Sequence, residues 1–194
     1  MVADSFDNGL AGDQLRHKTE EVFGADGALP VYRRAALEEA KIAIDEREEY
    51  FDEDFYMYKE DVDLAWRLRL LGWQAIYSPR VIAWHARTSG DSEAKNYLAI
   101  IKERLKINRF SKQLSFKNQR LAQIKNEQFF LLARHIFYWL PKEIASWFFV
   151  ILFESYTRQA IKELFKQAPL AWKKRGIIMA RKKMSEAEMK KWFK

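Results

Sequence analysis

Leu64, Leu68 and Leu71 recur at i, i+4 and i+7, so Glu60 to Leu71 predicts an amphipathic helix, with Trp66 widening its apolar face and Gly72 stopping it. Two short β-prone runs follow, Trp73 to Tyr77 and Val81 to Trp84, separated by a Ser78-Pro79-Arg80 turn. Upstream, Asp4 to Glu20 is polar with two glycines and reads as a loop. Val22 to Tyr32 carries glycines among alternating apolar residues, which predicts a turn and a short strand leading into a helix over Arg33 to Ala43. A strand this early needs a neighbour, expected from a preceding half. From Ser92 onward glycines are few and the spacing is helical, so the second half should be nearly all helix, interrupted at Pro141 and Pro169. No internal repeat or low-complexity tract is visible.

Composition adds two constraints. The 194 residues contain no cysteine, which excludes disulfides and thiolate metal sites and leaves oxygen or imidazole for any metal. The net charge of +7 hides a division: residues 1–101 hold 12 basic against 20 acidic side chains, and residues 102–194 hold 22 against 7. This suggests chemistry in the first part and attachment to a polyanionic surface in the second; the plainer reading is solvated helices. Met1 to Leu10 has no apolar h-region, so no secretory signal is visible and a cytoplasmic location is expected.

The stretch FDEDFYMYKEDVDLAWRLRLLGWQAIYSPRVIAWH, from Phe51 to His85, carries the candidate chemistry. It resembles family-2 glycosyltransferases of the rhamnosyltransferase and galactofuranosyltransferase kind, which share an FDE, an ED-x-D-L-x-x-R, a GW, a tyrosine-x-proline and a terminal histidine. VFGADGALPVYRR, ending at Arg34, is similar to that family's glycine-rich strand and YRR, and Lys117-Asn118 and Lys125-Asn126 resemble its basic KN repeats. The resemblance implies an α/β fold: residues 1–101 as the acceptor-side part of a GT-A-like catalytic lobe, and residues 102–194 as a basic, aromatic-rich, mostly α-helical extension.

By that resemblance Asp61 is the general base that takes the proton of an acceptor hydroxyl during inverting displacement, a contribution of roughly 10²–10⁴-fold. Glu60 is implied to support it by orienting acceptor or base. Without the family context, acidic residues at a helix start simply complement the macrodipole. Asp63 is not on the same helix face as Asp61 and reads as structural, paired with Arg67 at i+4 for a few tenths of a kcal/mol. His85 is the implied accessory ligand of Mg²⁺ or Mn²⁺, which would neutralise the leaving nucleoside diphosphate. Otherwise a histidine after an apolar strand is a satisfied core or rim residue, the reading that His17 and His135 keep. Trp73, Tyr77 and Trp84 are assigned to packing, and Arg33 and Arg34 to solvated first-turn charges.

The family's nucleotide-binding half ends in an Asp-x-Asp motif. Here the comparable spacings, Asp52-Glu53-Asp54 and Asp61-Val62-Asp63, both fall inside the acceptor-side block. The chain is therefore expected to be incomplete as an enzyme, with remaining metal ligands supplied by another lobe. Expected partners are a nucleotide-sugar donor and a glycan or lipid-linked acceptor.

Phe129 to Phe153 is the most apolar region, but its longest uncharged part, Ile144 to Phe153, spans only about 15 Å as helix against roughly 30 Å of hydrocarbon. It predicts two short apolar helices hinged at Pro141. With Lys173-Lys174-Arg175 and Arg181-Lys182-Lys183 behind them, these suit the inner face of an anionic plasma membrane. The equal alternative is a hairpin packed on the other lobe or on a second copy. A non-catalytic basic helical module for membrane attachment or protein interaction is the rival from another class. No RNA-binding aromatic signature or helix-turn-helix spacing points to nucleic acid.

Overall fold

The computed structural model describes residues 18–80 and 107–193. His85, His17, Trp84 and the strand expected over Val81 to Trp84 lie outside the described residues. In chain order the elements are β1 (Glu20–Val22), α1 (Arg34–Ala40), β2 (Ile42–Ile44), β3 (Arg47–Glu49), α2 (Glu60–Leu70) and β4 (Ala75–Tyr77). After these come α3 (Arg109–Asn126), α4 (Phe129–Arg134), α5 (Ile136–Phe153), α6 (Arg158–Ala180) and α7 (Glu186–Met189). The described part is thus mostly helical, with two small antiparallel sheets of two strands each.

α2 runs through the centre. Leu64 and Leu71 pack with Ala40 and with Tyr32, Leu37 and Trp73 on one side. Trp66 and Leu70 join Ile42, Leu131, Ile178, Met189 and Phe193 on the other. A third cluster, under α3 and α6, gathers Phe55, Leu121, Ala122, Leu164 and Ala171. The described parts on either side of Ile101 therefore share cores. Gly72 ends α2 with φ 87°, a left-handed conformation open to glycine. The chain then returns from far away to cap the helix: the amides of Lys183 and Met184 donate to the Leu70 carbonyl at 2.9 and 3.0 Å.

Several local expectations change. The first strand is Glu20–Val22, ahead of the glycine-rich run, and its neighbour is β4 within this chain, with Glu20 opposite Tyr77 and Val22 opposite Ala75. α1 stops at Ala40, because Ile42–Ile44 pairs with Arg47–Glu49 as a hairpin. Its turn places Asp45 and Glu46 at positive φ (47° and 65°), a geometry usually signalled by Asn-Gly or Asp-Gly, so the sequence gives no warning of it. Pro141 and Pro169 lie inside continuous helices, α5 and α6. A helix-interior proline costs about 3 kcal/mol. For Pro169 the turns on either side are held by Leu164 and Ala171, both buried in one cluster. The break falls instead at His135, between α4 and α5.

Gly24 explains the glycine-rich run. A Cβ there would lie 2.1 Å from the Ala65 Cβ, so the chain leaving β1 crosses α2 at backbone distance. Arg69, on the same helix, fixes that crossing by donating to the carbonyls of Val22 and Phe23 and to Glu21, while its guanidinium stacks 4.4 Å from the Trp192 ring.

Candidate functional site

Asp61 stands in the first turn of α2, where exposed backbone amides favour negative charge. Its Oδ2 accepts from the Gly27 amide at 2.9 Å and its Oδ1 from the Val62 amide at 2.7 Å. The residue remains partly exposed, so lone pairs are left for an incoming hydroxyl. Around it are a half-buried Glu60, with one carboxyl oxygen buried and unpartnered, and Tyr32, whose hydroxyl is likewise buried without a partner. Burial raises the Glu60 carboxyl above its ordinary range, and the Asp61 charge adds to the shift. Burial also raises the Tyr32 hydroxyl, helped by Asp61 and Asp26. The group offers one held carboxylate acceptor beside two side chains whose burial disfavours their charged forms.

The loop that delivers Glu60 and Asp61 is constrained. Tyr56, Tyr58 and Lys59 all have positive φ, between 60° and 72°. Non-glycine residues adopt this only when surroundings over-determine it. Here α3 supplies the constraint. Asn118 Nδ2 is 2.8–2.9 Å from the carbonyls of Phe55, Met57 and Tyr58, Lys117 Nζ donates to the Asp54 carbonyl at 2.8 Å, and Tyr58 Oη meets Ser111 Oγ at 2.7 Å. Ser111, Asn118 and Lys125 stand at i, i+7 and i+14, one stripe of the helix.

Below the loop lies a buried ion network. Lys125 Nζ reaches Asp52 and, at 2.8 Å, Asp63; Lys174 Nζ reaches Glu49 and Asp52 at 2.7 Å and Asp54 at 3.0 Å. Burial alone would raise the Asp52 carboxyl, but Lys125 and Lys174 overcome it and hold it down to about 2. Burial likewise opposes the Lys174 ammonium, and Asp52, Glu49 and Asp54 drive it well above the ordinary lysine range. Asp63 is structural, as its spacing implied, and Arg67 Nε meets it at 3.0 Å. The pair is fully buried, however, and Arg67 also donates to the carbonyls of Ala40 and Tyr50, while Asn126 donates to Asp63 at 2.7 Å. It belongs with buried pairs, whose disruption costs about 3–5 kcal/mol, rather than with surface helix pairs.

This network changes the meaning of the charge division. Lys117, Lys125 and Lys174 spend their charge on the acidic first part, and so do two members of the Arg181-Lys182-Lys183 cluster. Arg181 donates to the carbonyls of Glu39 and Lys41, and Lys183 meets Glu39 at 2.5 Å. Arg175 donates to the Ile124 carbonyl. Lys174, Arg175 and Arg181 are therefore unavailable to an outside polyanion. The KN pairs were visible in the sequence, and the i, i+7, i+14 stripe was a usable signal for their role; Lys174 carried no such signal.

Mg²⁺ or Mn²⁺ does not fit the described residues. No group of three or more His, Asp or Glu able to hold a metal occurs among them. Asp52, Asp54 and Asp63 already face ammonium or guanidinium groups. Trp73 packs as expected, donating to Glu39 at 2.7 Å, and Arg33 and Arg34 are exposed. His135 is half-buried at the α4–α5 break, with Nε2 unpartnered. A cavity of 310 Å³ lies apart from the Asp61 group, lined by residues such as Arg109, Phe149 and Tyr156. Compared with protein-family models, with curated proteins and with solved structures, the chain gives no match.

Proposed function

We propose that this chain is the acceptor-side part of an inverting, nucleotide-sugar-dependent glycosyltransferase of family 2, acting in cell-surface polysaccharide synthesis. Asp61 is the general base. It takes the proton of an acceptor hydroxyl as that oxygen bonds to the anomeric carbon, and the bond from that carbon to the nucleoside diphosphate breaks with its electron pair leaving on the diphosphate. Glu60 orients the acceptor by hydrogen bonding to it. The donor nucleotide belongs to a lobe outside these 194 residues, as do most ligands of any divalent cation, with His85 as this chain's contribution.

The observation that carries the reading is the construction around Asp61. A loop with three non-glycine residues at positive φ is clamped by Asn118 and Lys117 and underpinned by Lys125 and Lys174, yet the carboxylate at its end stays open on one side. Such a loop, held at a cost of about 1–3 kcal/mol per unusual backbone conformation, is typical of sites that must position a group.

The test is sugar transfer by the chain combined with a donor-binding lobe encoded upstream, Mn²⁺ and a panel of nucleotide sugars, with Asp61→Asn as control. Turnover reduced by a factor on the order of 10²–10⁴ supports Asp61 as base. Donor binding without transfer in the unaltered mixture favours the second reading, a non-catalytic attachment module, to which the exposed apolar helices α4 and α5 lend support.

A further inference from the structure

α5 is apolar and almost uncovered. Of its 18 residues only Val150 is buried, and it is long and apolar enough to cross a membrane by length and composition. One stripe touches the rest of the protein: Glu143 and Ser146 meet Arg120, and Trp147 packs edge-on to Phe116 at 5.1 Å. The other sides present Phe137 (86 % exposed), Ile144, Phe148, Ile151 and Phe153 (69 %) to the outside. The exposed surface continues across neighbouring helices. Trp147 lies 6.4 Å from the exposed Phe165 of α6, and Phe129 of α4 lies 6.1 Å from the exposed Trp172.

The fully exposed charges on this surface are cations, while its two carboxylates, Glu143 and Glu163, are half-buried and Glu163 accepts from Gln159 at 3.1 Å. In α4, α5 and α6 every exposed charged side chain is a cation: Arg134, Lys142, Arg158, Lys162, Lys166 and Lys173. The outward face of α6 repeats them beside aromatic residues, with Arg158, Lys162, Phe165, Lys166, Trp172 and Lys173 at helical spacing. Glu143, the carboxylate of α5, is engaged by Arg120.

We infer that α4, α5 and the outer face of α6 form one membrane-docking surface that lies in the plane of an anionic bilayer, rather than crossing it. Aromatic and aliphatic side chains enter the headgroup–acyl boundary, about 5–10 Å deep, and the lysines of α6 remain among the lipid phosphates. Crossing is disfavoured by geometry: α5 is held to α3 through Arg120 with Glu143 and Ser146, and Trp147 lies against Phe165 of α6, so spanning would bring the adjacent Lys162 and Lys166 toward hydrocarbon. A second copy of the chain brings cations against cations. Nucleic acid would satisfy the lysines but leave Ile144, Ile151 and Leu152 in water. The cations responsible are those of α6's outer face, not the Lys174, Arg175 and Arg181 groups already engaged inside.

The test is co-sedimentation of the full chain with vesicles of phosphatidylcholine, with and without phosphatidylglycerol, at low salt and at about 1 M salt, where the screening length falls to about 3 Å. Expected is binding to the phosphatidylglycerol vesicles that salt weakens. Lys162→Gln, Lys166→Gln and Lys173→Gln together should lower partitioning on the order of 100-fold, at about fivefold per lysine. These side chains are exposed, so the helical circular dichroism should be unchanged. The chain has no cysteine, so fluorophores can be placed singly at Phe137→Cys and Phe153→Cys. Equal shallow depth at both positions supports docking in the plane. Labels at opposite faces of the bilayer, no sedimentation of the folded chain, undiminished binding of the triple variant, or a dimer that shields both labels would each overturn it.

Discussion

Lys174 and Asp52 are 122 residues apart in sequence, yet their charged groups meet at 2.7 Å in the interior, where the same ammonium also holds Glu49 and Asp54. One side chain of α6 thereby ties the β2–β3 hairpin to the loop that leads into Glu60 and Asp61. Fold stability and the presentation of the candidate base depend on the same contact.

Replacing Lys174 with methionine keeps the volume and removes the charge, leaving three carboxylates short of a partner. The expected loss is about 3–5 kcal/mol, read as a lowered urea midpoint. A loss below about 1 kcal/mol, the range of exposed pairs, would mean that the pair is solvated.

Acid should attack the same network. Asp52 is held at about 2 in the folded chain, below its ordinary value of 3.8. Between those values the unfolded chain binds the proton and the folded chain does not. The stabilisation, about 2 kcal/mol, is thus fully present above pH ~4 and lost as pH falls toward ~2. Asp52→Asn should flatten that limb of a stability-versus-pH curve.

Glu127 gives the opposite sign. It is buried between α3 and α4, and burial pushes it up to about 7 from 4.5 against the pull of the Arg175 guanidinium and the Gln128 amide. The folded chain keeps the proton that the unfolded chain releases, so stability is present below pH ~4.5 and falls by about 3 kcal/mol as pH rises through ~7. Glu127→Gln should abolish this decline and stabilise the protein at pH ~8, checked by thermal denaturation across that range.

Gly24→Ala places a methyl group 2.1 Å from the Ala65 Cβ. The expected cost is about 1–3 kcal/mol from forced separation of α2 and the chain leaving β1. Ala65→Gly in the same chain should return part of it, and a double-mutant cycle with no coupling would contradict the close approach.

Much of the secondary structure was legible because its signals are local. The Leu64, Leu68, Leu71 spacing and Gly72 located α2 to within a residue, and the shortage of glycines after Ser92 indicated helices. The same reasoning failed at Ile42 to Glu49, where strand pairing turns at Asp45 and Glu46 without glycine, and at Pro169, whose helix is sustained by packing on both sides. Within the site, Asp61's place at a helix start and the structural part of Asp63 could be read from spacing. The KN pairs were noticed without their task, since their acceptors are backbone carbonyls for Lys117 and Asn118 and the Asp52 and Asp63 carboxylates for Lys125 and Asn126, all far upstream in the chain.

What the sequence determined by itself was the helical periodicity, the acidic–basic division and the block containing Glu60 and Asp61, because each depends on residues close along the chain. Tertiary structure decided which cations face inward and which outward. Lys174 and Lys173 are adjacent in sequence but about 100° apart around α6, so one is buried among carboxylates and the other is left on the surface.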